Sequence, residues 1–249
     1  MYMRSSIFTI LFLVSISVFA QQATLTEDAG VLYRKENSFG LSLHSRGFGL
    51  NYRIGKHLTG TRKRIIEIDL LNMKHPKEIK TLNQYYENTK GFVYGKLNSL
   101  AVLRGGIGLQ NVLYRKDEPG NIEVRYSFYS GASLGLAKPV YLYVLQESND
   151  PYNPNKVIEK FNPEKHQLDN IYGKAPLGYG LERTVIHPGI YAKAGISFDW
   201  ASEDDRVRCL EIGVVSDYYL SSIQIMAFNK ATPSFTTLYA TLSFGRKKN

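Results

Sequence analysis

Residues 122–136, IEVRYSFYSGASLGL, separate by polarity into two interleaved rows. Ile122, Val124, Tyr126, Phe128, Ser130, Ala132, Leu134 and Leu136 form one; Glu123, Arg125, Ser127, Tyr129, Gly131, Ser133 and Gly135 form the other. Successive side chains of a strand point to opposite faces, so this period of two specifies an extended strand with one apolar and one polar face. A soluble sheet buries its apolar row, whereas a membrane barrel turns that row to lipid and keeps the polar row inside.

The alternation recurs along the chain. In 47–54, Phe48, Leu50, Tyr52 and Ile54 oppose Gly47, Gly49, Asn51 and Arg53. In 64–71, Ile66, Ile68 and Leu70 face away from Glu67 and Asp69, and around 101–111 Leu103, Ile107 and Leu109 oppose Arg104, Gly106, Gly108 and Gln110. Segments 186–200 and 207–217 repeat it, with Lys193, Glu211 and Asp217 on the polar rows. Charges placed mid-strand among Gly and Ser suit side chains that share a narrow lumen, while a solvent-facing row has less need of strand-weakening Gly.

Strands read at about 38–45, 47–55, 63–72, 91–97, 100–114, 122–136, 139–147, 185–199, 206–218 and 235–246 predict an all-β chain. The expected fold is a closed antiparallel transmembrane β-barrel of about ten strands, within a range of 8–12. With the first strand running outward, Lys56–Arg62, Asn98–Ser99, Ala137–Pro139 and Ala201–Asp205 become short periplasmic turns. The outer side receives 73–90, 115–121, 146–184 and 221–234, with 73–90 and 146–184 the long external loops. The closing segment TTLYATLSFGRKKN sets Leu238, Ala240, Leu242 and Phe244 on one face. Leu242 and Phe244 are placed as the carboxy-terminal signal read by the barrel assembly machinery, although Gly245–Asn249 follow them.

The amino terminus agrees with export. Arg4 precedes the apolar run SIFTILFLVSISVFA, and Val18 and Ala20 are small residues before QQ, which predicts a signal peptide, residues 1–20, cleaved after Ala20. Residues 21–37 then form a periplasmic segment and 38–249 the barrel. No other apolar run is long enough for a membrane helix. Cys209 is the only cysteine, so no internal disulfide forms. Removing 1–20 lowers Lys+Arg from 31 to 30 against 22 Asp+Glu, a net +8. No zinc pattern, helix-turn-helix signature or basic helical face accompanies that charge, so it reads as a solvated surface in contact with anionic headgroups and not as a nucleic-acid site.

LHSRGFGLNYRIGK (43–56), RIIEIDLLNMKHPKEIK (64–80) and FVYGKLNSLAVLRGGIG (92–108) resemble a family of small, largely uncharacterised outer-membrane β-barrel proteins of Bacteroidota. The resemblance implies a location and a barrel, and no catalytic residue.

Arg53, Glu67, Asp69, Arg104, Glu123, Arg125, Lys193, Glu211 and Asp217 are the charged lumen residues expected. They read either as a selectivity lining or as an ion-paired plug; a barrel this narrow fills with its own side chains, which favours the plug. Five histidines invite comparison with rim hydrolases. His44–Ser45 point apart as neighbours, and Asp169 or Asp150 near His166 is undirected, so an enzyme is not expected. No metal spacing and no cofactor motif emerges. The loop 146–184 carries Tyr152, Phe161, Tyr172 and Tyr179 among Asn and Pro and reads as a partner-binding surface. The expected function is therefore a structural or interaction barrel, an accessory subunit of an envelope secretion or assembly machine, with outer-membrane lipid and an envelope protein as partners. Its rivals are a narrow transport barrel, a rim-site hydrolase acting on lipid or peptide, and a soluble lipocalin-like carrier with an apolar interior.

Overall fold

The computed structural model describes residues 35–84, 89–116, 121–146, 155–202 and 205–248. The expected signal peptide, residues 21–34 and Tyr152 lie outside the described residues. Among those described, eight long strands close a barrel: β1 Lys35–His44, β2 Gly47–His57, β3 Arg62–Met73, β6 Asn98–Tyr114, β7 Glu123–Pro139, β11 Val185–Asp199, β12 Arg206–Ile223 and β13 Thr232–Lys248. Every neighbouring pair is antiparallel, in the order β1-β13-β12-β11-β7-β6-β3-β2, and β1 closes on β13 from Lys35↔Lys248 to His44↔Tyr239. Five shorter strands lie outside the wall: β4 Lys80–Thr81, β5 Phe92–Val93, β8 Tyr141–Gln146, β9 Asn155–Lys160 and β10 Ile171–Lys174.

The wall has eight strands, the lower end of the expected range of 8–12, in place of the ten segments read as strands. Segments 91–97 and 139–147 alternate well enough to be read as strands, but the wall leaves them no edge. β3 pairs with β6 from Arg62↔Asn111 to Met73↔Leu100, and β7 pairs with β11 from Val185↔Ala137 to Asp199↔Glu123. Part of 91–97 pairs instead as β5 with β4, and 141–146 becomes the centre of a sheet ordered β10-β8-β9. Two expected turns consequently vanish: Asn98–Ser99 and Ala137–Pro139 are strand, paired as Asn98↔Pro139 and Leu100↔Ala137. The directions of β6 and β7 reverse, and the 115–121 connection moves to the end that holds β1's start and β13's finish. That terminal end has only short connections. The opposite end, called the cap end below, holds a tight turn at 45–46, the segments 74–97 and 140–184, and the turn 224–231.

The polar row faces inward. In β3, Lys63, Glu67 and Asp69 are buried while Ile66, Ile68 and Leu70 are 51, 52 and 50% exposed. The same inversion holds on β1 and β2, where Phe39, Leu41, Leu43, Phe48 and Leu50 stand outward and Ser38, Ser42, Asn51 and Arg53 are buried. A polar interior contradicts the lipocalin-like carrier, whose apolar rows must line a cup. The outward apolar surface runs around the wall, far beyond the isolated exposed residues that a soluble monomer tolerates.

Charge bounds that belt. At the terminal end, Lys248, Lys35, Lys56 and Arg64 are successive cross-strand partners on β13, β1, β2 and β3, all outward and exposed. Like charges directly opposite one another destabilise a sheet unless an anion or solvent screens them. The apolar residues between this row and the cap end therefore form a band with a basic margin.

Glycines on the inner row make room for tyrosines. A Cβ at Gly106 would lie 2.4 Å from the Tyr191 hydroxyl, and one at Gly195 would lie 2.4 Å from the Tyr239 hydroxyl. Above these rings, Leu71, Met73, Leu100, Val102, Tyr219 and Phe235 meet Ile225 and Met226 of the turn 224–231, closing the cap end with apolar side chains. That turn is tied down by Leu97 N–H donating to the Ile225 carbonyl at 2.9 Å and Ala227 N–H to the Gly95 carbonyl at 2.7 Å. Outside it, Phe92, Val140, Leu142, Val144, Phe161 and Ile171 form a second apolar core.

Candidate functional site

The lumen is built in three tiers. Nearest the terminal end, Lys63 Nζ donates to Glu36 at 2.5 Å, and Arg125 bridges Glu123 and Asp199, reaching Asp199 Oδ2 at 2.9 Å. Lys116 adds a third cation, 3.4 Å from Asp199. These groups arrive together because β1, β3, β7 and β11 each point an inward position into the same end of the lumen.

The central tier is the densest. Arg53 on β2 donates through both terminal nitrogens to Glu211 on β12, at 2.8 and 2.7 Å, and through Nε to Glu67 at 3.3 Å. Lys193 on β11 donates to Glu67 at 3.1 Å and Asp69 at 3.2 Å, and the Asn51 amide donates to Asp69. Tyr191 donates to Glu67 at 2.9 Å and Tyr239 to Glu211 at 2.8 Å, with Tyr129 and Ser127 also donating to Glu211. Rings complete the packing: Arg53 sits 4.8 Å over Tyr129, and Lys193 4.7 Å over Tyr239. Towards the cap end, Arg104 on β6 grips Asp217 on β12 at 2.8 and 2.6 Å, and Ser133 donates to the same carboxylate at 3.0 Å.

All nine charged residues expected in the lumen line it, and each is in at least one ion pair. Buried carboxylates and guanidinium groups this close are costly to leave unpaired, so the network behaves as a set of mutually satisfied ties across the barrel. Sequence reading missed Glu36 and Lys63, which sit at strand starts where the alternation is too short to assign a face. Asp199 shares the parity of Lys193 but sits at the end of its strand, and its partners Arg125 and Lys116 come from β7 and the 115–122 connection. Tyr129, Tyr191 and Tyr239 share the parity of Arg125, Lys193 and Thr241, but the lumen set expected from sequence was drawn from charged side chains alone and left them out.

The loop aromatics divide. Phe161 is 3% exposed in the outer apolar core, which corrects its expected role in touching a partner. Tyr172 lies under Lys156, 3.9 Å from its ammonium, and Tyr179 is exposed. Within the expected long loop 146–184, β9 and β10 pair with β8 as a three-stranded sheet. Leu242 and Phe244 are outward on β13, paired with Leu41 and Phe39 of β1.

The histidines do not converge. His166 Nε2 lies 3.1 Å from Glu159, and Asp169 caps the N–H of Asn170 instead. His44 accepts the Arg46 N–H at 3.3 Å. His187 Nδ1 meets the Ser221 hydroxyl at 2.6 Å, with no carboxylate paired to His187 among the described residues. His75 is held below its usual range by partial burial and by Arg46 and Lys77. No group of three metal-ligating side chains occurs among the described residues, and no described helix is long and apolar enough to cross a membrane.

No family model and no curated protein matches the chain. Among solved structures, Ail, the attachment invasion locus protein of Yersinia pestis, is similar at 8% identity and a TM-score of 0.41, covering 87% of this chain and 99% of that one. Neisserial surface protein A is similar at 11% identity and a TM-score of 0.35, covering 87% of this chain and 96% of the other.

Proposed function

We propose that the chain is an outer-membrane β-barrel that acts as a membrane-anchored platform, holding its cap outward as a contact surface for an envelope protein. The carrying observation is the inverted polarity of the wall, with Ile66, Ile68 and Leu70 outward over Glu67 and Asp69. Only a solvent as apolar as lipid makes that arrangement favourable, at roughly 25 cal/mol for each Å² of apolar surface kept from water. The terminal end then faces the periplasm, where short connections belong, and the cap faces outward. The finer reading, an accessory subunit of an envelope secretion or assembly machine, draws its support from the cap: the segment 140–184, which carries the sheet β10-β8-β9, is longer than a connection needs.

A narrow transport barrel is the weaker reading, because Arg53, Lys193, Arg104 and their carboxylates cross the lumen and an apolar layer closes one end. In planar bilayers the purified protein is expected to show no steady conductance. Stable porin-sized currents would overturn the plugged lumen. A rim hydrolase rests on Ser221 and His187 alone, and a serine nucleophile needs a base that is itself oriented by a third group.

The platform reading is tested by excising the cap. Ala137 pairs directly with Val185, so replacing 140–183 by a short Gly-Ser turn joins β7 to β11 as an ordinary hairpin. The shortened protein is expected to stay heat-modifiable on a gel, with loss of the partner that co-purifies with the intact protein from solubilised envelope. A full partner complement on the capless barrel, or loss of phenotype in His187→Ala with an intact cap, would contradict it.

A further inference from the structure

Where the cap overhangs the outside of the wall, two adjoining cavities of about 330 and 430 Å³ share Lys74, Lys96 and Lys174. Lys80 extends the first and Lys138 the second. The one acid lining them, Glu78, is taken by Lys96 at 2.6 Å, and Lys138 donates to the carbonyls of Leu177 and Tyr179 at 2.6 and 3.1 Å. Lys74, Lys80 and Lys174 are in no ion pair among the described residues. Burial, then Lys96, Lys138 and Lys80, hold the Lys174 amine below its usual range, so the cluster repels itself as it stands. The opposite side of the larger cavity is apolar. Ala101 and Leu136 are cross-strand partners on the outward row of β6 and β7, and Leu177 and Leu181 overhang them, 70 and 61% exposed.

We propose that these two adjoining cavities together bind the phosphorylated headgroup of an acylated lipid, its phosphate on Lys74, Lys80 and Lys174 and its chains along Ala101, Leu136 and Leu181. The inference rests on the membrane reading above and adds to it a specific ligand class. A free anion would use the lysines but leave the apolar half unexplained. A phosphorylated lipid uses both, because the cavity opens where the apolar belt meets the cap.

The test is native mass spectrometry of the full protein released from detergent micelles, with diphosphorylated lipid A, its dephosphorylated form and inorganic phosphate as probes. One phosphorylated lipid is expected to bind in preference to the dephosphorylated one. Removing a surface lysine weakens an anionic lipid contact by about fivefold, so Lys74→Gln with Lys174→Gln should lose about 25-fold. Lys74→Arg with Lys174→Arg should retain binding, and Lys165→Gln with Lys230→Gln, away from the cavity, should leave it unchanged. Equal binding of the dephosphorylated lipid, or displacement of the lipid by millimolar phosphate, overturns the proposal while the barrel still inserts into vesicles. Failure to insert at all removes the membrane reading and the lipid site with it.

Discussion

Replacing Arg104 with methionine is expected to lower the stability of the folded barrel by about 3–5 kcal/mol, because it strands a buried carboxylate. Arg104 is 2% exposed and holds Asp217, itself fully buried, through two nitrogens, with Asp69 3.8 Å away on its other side. Without the guanidinium, Asp217 keeps Ser133 as a donor among the described residues, and its charge stays buried without a cation to balance it. The companion change Asp217→Leu is expected to restore most of the loss, since a buried pair exchanged for apolar side chains of similar volume is often neutral or stabilising. Urea unfolding in detergent micelles measures both. A single-mutant loss below about 1 kcal/mol, the size of an exposed pair, would mean that water reaches the lumen at this depth.

The second large effect lies on the outer face. On β3 the outward row reads Arg62, Arg64, Ile66, Ile68, Leu70 and Asn72, so Ile68 is the centre of an apolar triplet bounded by basic and polar residues. Arginine at that depth is expected to cost about 2–4 kcal/mol, whereas Asn72→Arg at the margin should cost about 0–1 kcal/mol. The sign discriminates between solvents: Ile68 is 52% exposed, and in water an arginine there would be neutral or mildly favourable. Folding into liposomes, titrated with urea, gives the difference.

These two residues mark how far the sequence could be read. Ile68 and Arg104 lie within stretches of clear alternation, 66–70 and 103–110, and parity alone assigns each to a face without saying which face is inside. The choice came from the mid-strand charges and small residues of the inner row. Strand number was less legible, because a run such as 139–147 alternates equally well in a wall and in a cap sheet; pairing partners decide, and they are non-local. Val140, Leu142 and Val144 are buried by Phe161 and Ile171, well away in sequence. Inner apolar residues such as Leu71, Met73, Leu100 and Val102 also interrupt the polar row near the cap end, where the lumen closes. The lysine cavity had no sequence signal at all. Its five amines come from three separate segments and meet only when the cap folds over the wall.

Cysteine accessibility along β1 tests the inverted wall most directly. The chain has one cysteine, Cys209, which is buried, so Cys209→Ser provides a cysteine-free background. Single cysteines at Ser38, Phe39, Leu41, Ser42 and Leu43 then sample both rows of one strand in protein folded into liposomes. The expected result is that positions 39, 41 and 43 react with a lipid-soluble maleimide and not with a charged one, while 38 and 42 react with neither. Reaction of 39, 41 and 43 with the charged reagent, or of 38 and 42 with the lipid-soluble one, would contradict a polar lumen enclosed by a lipid-facing wall.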